Sequence, residues 1–196
     1  MIKFYRKNFL AEFNLDFMDE FLKIDIKGFK TELPVLALPS GIKIAFFNLH
    51  GAPAMTEHCG KEIARLAEGS DVIITAESKG LQLAHVVARE LNHPFYAVAR
   101  KAKKLYMQDG ISVSYGSSIT TGKAQELFLS KHDVDIIRGK KVAIVDDVVS
   151  TGESLKGLEA LVLKAGGIIY KKLFVLAEGD AKDRKDVEYL ATIPLL

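Results

Sequence analysis

Cysteine is almost missing from this chain: Cys59 stands alone among 196 residues. No disulfide can close within the chain, which favours a reducing compartment. Long hydrophobic runs are missing too, since no stretch approaches the roughly 18 uncharged apolar residues of a membrane span. The opening Met-Ile-Lys-Phe-Tyr-Arg-Lys is basic but leads into no apolar run of signal-peptide length. A cytoplasmic protein is expected. Nor does one sign of charge dominate: 27 Lys and Arg face 25 Asp and Glu, for a net charge of +2. That balance gives no electrostatic reason to expect nucleic acid or a membrane surface as partner. Repeats, low-complexity tracts and Pro/Gly/Ser-rich linkers are absent. His50, His58, His85, His93 and His132 are scattered without ligand spacing, so metal binding by them is not expected.

What is present is ordinary globular material, 48% hydrophobic and 27% charged, enough for one sizeable domain with a proper core. Residues 1–40 mix aromatics with charges (Phe4, Tyr5, Phe9, Phe13, Phe17, Phe21) and end in the turn-like Leu38-Pro39-Ser40-Gly41. Residues 41–196 read as the main domain with a C-terminal tail. Short apolar runs predict strands at Ile42–Leu49, Val72–Thr75, Phe95–Ala99, Val142–Val145 and Ile168–Leu176. Helical periodicity predicts helices between them. One is Glu57–Glu68. A second, Gly80–Leu91, aligns Leu81, Ala84, Ala88 and Leu91 and is stopped by Asn92-His93-Pro94. A third, Glu153–Ala165, carries the stripe Leu155, Leu158, Leu161, Val162 and Ala165, with Gly166-Gly167 as cap. Strands alternating with helices imply an α/β fold, a mainly parallel sheet covered on both faces. Phe46 and Phe47 are expected in the core, with stacking on a base as the functional alternative for one of them.

Such sheets bind ligands beyond the carboxyl ends of their strands, and three polar clusters fall there. Glu77-Ser78-Lys79-Gly80 follows the second strand, Arg100-Lys101-Ala102-Lys103-Lys104 the third, and Asp146-Asp147 with Ser150-Thr151-Gly152 a later one. The segment Val142–Ser154 carries the clearest chemistry. Gly152 permits a tight backbone turn, and Ser150, Thr151 and Ser154 supply hydroxyls. Free amides at the helix start favour an anion. Asp146 and Asp147 then stand close enough to accept hydrogen bonds from a sugar diol or to hold the water shell of a metal. No Gly-Lys-Ser/Thr follows, so this is not a Walker A loop, and no Gly-x-Gly-x-x-Gly occurs.

This segment resembles the phosphoribosyl-pyrophosphate motif of the type I phosphoribosyltransferases, and the flanking clusters are most similar to the adenine phosphoribosyltransferase branch. The resemblance covers roughly residues 70–180 and implies the fold of that family with a small hood, to which residues 1–40 would contribute. It implies that Asp146 and Asp147 hold the ribose hydroxyls while Ser150, Thr151, Gly152, Glu153 and Ser154 cradle the 5′-phosphate, with Val148 and Val149 also among the substrate-binding residues. Glu77, Ser78, Lys79 and Gly80 would form the pyrophosphate loop, Lys79 standing where the family usually has arginine and lacking its bidentate fork. Arg100, Lys101 and Lys104 resemble the family's Arg-Lys-x-x-Lys-Leu, which also addresses pyrophosphate, often across a dimer interface. Asp146, Asp147 and Lys79 are the catalytic candidates. The implied partners are phosphoribosyl pyrophosphate, Mg²⁺ bound with it rather than directly by side chains, a purine base and a second copy of the chain.

Adenine enzymes usually place Glu-Tyr-Gly in the mobile loop before the motif. The nearest match here is Thr120-Thr121-Gly122, in a loop running from Tyr106 to Lys123, and Tyr115 is the candidate lid aromatic. Adenine is the favoured acceptor on this resemblance. The alternatives are xanthine or hypoxanthine/guanine, and a regulator that senses the donor without turnover. Purine-operon repressors share the fold for that purpose, but residues 1–40 are too short for their winged helix.

Overall fold

The computed structural model describes residues 20–37, 41–116 and 125–196. Of the N-terminal aromatics, Phe4, Tyr5, Phe9, Phe13 and Phe17 therefore lie outside the described residues, as do Thr120-Thr121-Gly122 and Lys123.

A five-stranded parallel sheet forms the centre. Its strands are β4 (Val72–Ala76), β5 (Ala97–Ala99), β8 (Lys141–Val149), β9 (Ile168–Glu178) and β10 (Glu188–Ile193), in the order β10-β9-β8-β4-β5. From β4 the chain moves outward to β5, and from β8 it moves the other way to β9 and β10. The switch point lies between β4 and β8, and this is where a sheet of this type opens a crevice at the carboxyl ends of its strands. The polar clusters after β4 and within β8 both face that point.

Helices cover both faces, as parallel strands require. Helices α1 (Pro53–Leu66) and α2 (Leu81–Glu90) pack on one side. Cys59, Ile63, Leu83, Ala84 and Val87 join Ile73, Ala143 and Val145 there in one apolar cluster. Helices α3 (Lys131–Ile137) and α4 (Glu153–Lys164) pack on the other, where Val134, Ile137, Leu155, Leu158 and Leu161 meet Val72, Ile74, Val142 and Ile144. Successive strand residues thus alternate between the two clusters. Burial also pushes the Cys59 thiol up to about 12.

Helix α4 buries its expected stripe and ends on the left-handed Gly166, whose amide bonds Leu163 while that of Gly167 bonds Val162. Helix α2 departs from the one-stripe reading. It buries Leu83, Val86 and Val87 as well as Ala84 and Ala88, because α1 covers its second side. Gly60 lets the two helices approach: a Cβ there would lie 2.4 Å from Val86 Cγ1.

Two hairpins and the last strand go beyond the elements read from sequence. Strands β1 (Phe21–Ile26) and β2 (Phe29–Ala37) pair antiparallel through Lys27 and Gly28, both at positive φ, and Asp25 Oδ1 accepts the Gly28 N–H at 2.6 Å. Strand β3 (Lys43–Ala45) adds to β2, so this small sheet continues past residue 40. Strands β6 (Ile111–Tyr115) and β7 (Gln125–Leu129) form the second hairpin, lying against α4. Phe46 and Phe47 separate: Phe47 is 2% exposed in the core, while Phe46 is half-buried. Among the described residues no helix is long and apolar enough to cross a membrane.

Candidate active site at the strand switch point

Strand β8 runs through Val149, four residues beyond the expected end, so Asp146 and Asp147 are strand residues held by the sheet and not loop residues. Asp146 Oδ1 accepts the Asp147 N–H at 2.9 Å. Burial, reinforced by the neighbouring Asp147 carboxylate, pushes Asp146 well above the usual aspartate range. Burial raises Asp147 as well, against the lowering effect of the Lys79 cation. Asp147 Oδ2 is buried without a hydrogen-bond partner, and the Lys79 ammonium stands 3.8 Å from it. A pair of crowded carboxylates with an open acceptor is suited to hydroxyl donors or a cation.

Across the switch point, the loop after β4 carries Glu77, Ser78, Lys79 and Gly80, with a cis peptide between Glu77 and Ser78. Gly80 begins α2 with an ordinary helical φ of −75°. It must be glycine for space: a Cβ would fall 2.1 Å from Thr75 Oγ1 and 2.6 Å from Asp146 Oδ1. Thr75 Oγ1 is itself buried without a hydrogen-bond partner. From sequence Thr75 is only the last residue of an expected strand, and its closeness to Gly80 is what marks it. Lys79 is half exposed, and its ammonium lies 5.4 Å from the centre of the Phe46 ring, close enough for a cation–π contact.

The third cluster is tied to the second. Glu77 pairs with Arg100 and accepts the Lys101 backbone N–H. Backbone bonds of 2.9 Å in both directions join Arg100 to Phe128 of the second hairpin. The side chains of Lys101 and Lys104 project into solvent. Leu105, beside them, is 92% exposed.

The motif loop closes on α4. Gly152 takes the left-handed φ of +79° that its turn requires, and no side chain caps the helix. The nearest candidate, Thr151 Oγ1, lies 3.5 Å from the Glu153 N–H. Helix α2 likewise starts without a side-chain cap. Helix α3 has a complete capping box between Ser130 and Asp133, while α1, which begins at Pro53, also has no side-chain cap. Two helix starts on the ligand edge thus keep donors for an anion, which is the arrangement phosphate groups favour.

Val149 is core, Val148 half-buried, Ser150 half-buried and Thr151 and Ser154 exposed. The Tyr115 ring is held in the core against α4: a Cβ on Gly157 would lie 2.9 Å from it. Its hydroxyl donates to Gln125 Oε1 at 2.9 Å. That geometry makes Tyr115 a wall of the hairpin and not a free lid. Among the described residues no group of three or more His, Cys, Asp or Glu could hold a metal ion. The open Asp147 Oδ2 beside Asp146 would suit the water shell of a divalent ion carried by ligand oxygens.

Fold and site together define an α/β class with a parallel sheet whose switch point carries an acidic pair between two helix starts lacking side-chain caps. The phosphoribosyl transferase domain model matches residues 48–191, and the chain belongs to the phosphoribosyltransferase family. Xanthine phosphoribosyltransferase from an Exiguobacterium species is 33% identical over 161 residues, covering 78% of this chain and 82% of that protein. The xanthine phosphoribosyltransferase of Bacillus thuringiensis is 34% identical over 163 residues, covering 78% and 80%. Solved structures with the same fold include adenine phosphoribosyltransferase from Thermoanaerobacter pseudethanolicus, with a TM-score of 0.63 at 21% identity over 94% of this chain and 99% of that one. The Giardia lamblia adenine enzyme complexed with 9-deazaadenine gives 0.64 at 20% identity, over 88% and 93%. The type I phosphoribosyltransferase fold expected from sequence is thus the fold observed.

Proposed function

We propose that this chain transfers the 5-phosphoribosyl group of phosphoribosyl pyrophosphate to a nitrogen of a purine base, releasing pyrophosphate. The observation that carries this reading is the Asp146–Asp147 pair, half-buried and buried, between two helix starts that lack side-chain caps. Asp146 and Asp147 accept the ribose hydroxyls, and Ser150 to Ser154 bind the 5′-phosphate. Ser78, Lys79, Gly80, Arg100, Lys101 and Lys104 receive the pyrophosphate. The bond from ribose C1′ to the pyrophosphate oxygen breaks as the bond to the base nitrogen forms, and the proton that nitrogen carried is released to water. Positive charge gathers on the ribose and negative charge on the leaving group, so the cations beside the Glu77–Gly80 loop stabilise the departing oxygens. Mg²⁺, when bound with the donor, neutralises part of the same charge.

For the acceptor, the relatives above 30% identity favour xanthine, since those proteins are named for it. Adenine is the second reading, supported by the fold likeness to adenine enzymes and by the Glu77–Gly80 resemblance. In the same reading the small β1-β2-β3 sheet walls the base pocket as a hood. The chain works in the cytoplasm as a homodimer, joined near the exposed Leu105 and Tyr106.

The test is magnesium-dependent pyrophosphate release from phosphoribosyl pyrophosphate with xanthine, adenine, hypoxanthine and guanine. Turnover with one purine, abolished by Asp146→Asn together with Asp147→Asn, supports the proposal. Tight donor binding without release for any base would overturn it and make the chain a sensor of the donor.

A further inference from the structure

Arg184, in the C-terminal segment, is packed against the loop that opens α4. A Cβ built on Gly152 would lie 2.2 Å from Arg184 Nη1, so the guanidinium edge rests on the bare Cα. Gly152 is glycine for two independent reasons, its positive φ and this contact. The guanidinium is held in place. Its Nε donates to Asp186 Oδ1 at 3.0 Å and its Nη2 to Asp186 Oδ2 at 2.8 Å, a two-point pairing that fixes the plane of the group. Asp186 is fixed in turn by Lys172 at 2.9 Å, and Lys172 also pairs with Glu159 of α4 at 2.5 Å. The chain of contacts runs from the body of α4, across β9, into the C-terminal segment and back to the start of α4.

Within that network two acidic and two basic groups balance, and Arg184 Nη1 has no hydrogen-bond acceptor among the described residues. It is the edge turned to Gly152. The helix it adjoins lacks a side-chain cap, so guanidinium and helix start present positive character at one place. The segment Glu178–Arg184 is distant in sequence from the motif, and nothing in its composition ties it to a phosphate. The contact with Gly152 does.

We infer that Arg184 is a positioning residue for the 5′-phosphate: it braces the left-handed turn at Gly152 and sets a fixed cation behind the phosphate loop, oriented by Asp186. This rests on reading that loop as the 5′-phosphate site. The inference predicts a selective defect, because the brace touches only one of the two phosphate loops. Arg184→Ala should raise KM for phosphoribosyl pyrophosphate about tenfold with kcat little changed. It should weaken binding of ribose 5-phosphate by a similar factor and leave binding of inorganic pyrophosphate unchanged. Arg184→Lys, which keeps the charge but not the fork, should recover part of the loss. Asp186→Asn, which frees the guanidinium, should reproduce part of it.

Titration calorimetry with ribose 5-phosphate and pyrophosphate as separate probes, beside steady-state kinetics and a thermal melt, decides the matter. An unchanged KM in Arg184→Ala overturns the inference. So does an equal loss for both probes with a lowered melting temperature, which would mark Arg184 as a structural tie. Wild-type protein that binds pyrophosphate but not ribose 5-phosphate would overturn the reading of the loop itself, a result distinguishable from either variant outcome.

Discussion

Glu77 holds Arg100: its Oε2 lies 2.8 Å from Arg100 Nε, while its Oε1 accepts the backbone N–H of Lys101 at 2.6 Å. One carboxylate therefore joins the loop after β4 to the basic segment after β5. Strands β4 and β5 are already paired, and the Glu77 N–H bonds Ala99 at 2.9 Å. The side chain extends that strand pairing into the site. An acidic residue in a loop meant for pyrophosphate looks counterproductive until its partner is seen: it positions a guanidinium that would otherwise sample many rotamers.

Glu77→Gln tests this division of labour. The amide keeps an acceptor for Lys101 N–H but gives up the charge facing Arg100. Arg100 and Glu77 side chains are 32% and 21% exposed, so the pair contributes on the order of 1 kcal/mol after solvent screening. The melting temperature should move by no more than about 4 °C. KM for phosphoribosyl pyrophosphate should rise several-fold, because the cation is no longer aimed. Kinetics beside a thermal melt checks both, and an unchanged KM would show that the two loops are positioned independently.

The Asp pair makes a prediction of opposite sign for stability and activity. Burial raises both carboxyls above the ordinary aspartate range, so the folded protein retains protons that the unfolded chain has already released. Stability of the ligand-free protein therefore falls as pH climbs from the ordinary aspartate range through the raised values, and acidification restores it. Asp146→Asn with Asp147→Asn removes that penalty. The double variant should melt a few degrees above the parent at neutral pH, and the gap should close toward about pH 4. It should also lose turnover. Thermal melts across that pH range are the measurement, and a double variant that melts lower at neutral pH would mean the carboxylates stabilise the fold.

The architecture was legible where physics is local and repetitive. The apolar runs at Val72 and Val142 and the stripe from Leu155 to Ala165 each found their place, because a buried parallel strand or an amphipathic helix needs little beyond its own pattern. The Lys27-Gly28 turn was hidden because its pairing depends on a left-handed lysine, which composition does not advertise. Strand β6 falls within the loop expected from Tyr106 to Lys123, since Ser112 and Ser114 interrupt its apolar signal and α4 supplies what the strand lacks, and its partner β7 lies just beyond that loop. In the site, the three clusters could be placed on one sheet edge from strand order alone. Thr75, the Phe46 contact with Lys79 and Arg184 could not, because each depends on a tertiary neighbour far away in sequence. Tyr115 shows the reverse limit: an aromatic before a glycine reads as a loop residue, yet Gly157 makes a slot for it on α4.

Two glycines separate the demands of the site from those of the core. Gly60 and Gly80 both have φ values an alanine tolerates, and both would place a methyl group inside a neighbour. At Gly60 the neighbour is Val86, a stiff β-branched side chain between α1 and α2. At Gly80 the neighbours are Thr75 Oγ1 and Asp146 Oδ1, both belonging to the crevice. Gly60→Ala and Gly80→Ala should each cost about 1–3 kcal/mol of stability through overpacking. Only Gly80→Ala should displace the Asp146 carboxylate, and with it donor binding. Below the melting transition, Gly60→Ala should keep kcat/KM within about threefold of the parent, while Gly80→Ala loses about a hundredfold or more, the scale of a misplaced catalytic group. Equal losses in the two variants would mean that activity follows packing in general and that the Thr75–Gly80–Asp146 contact has no special part in it.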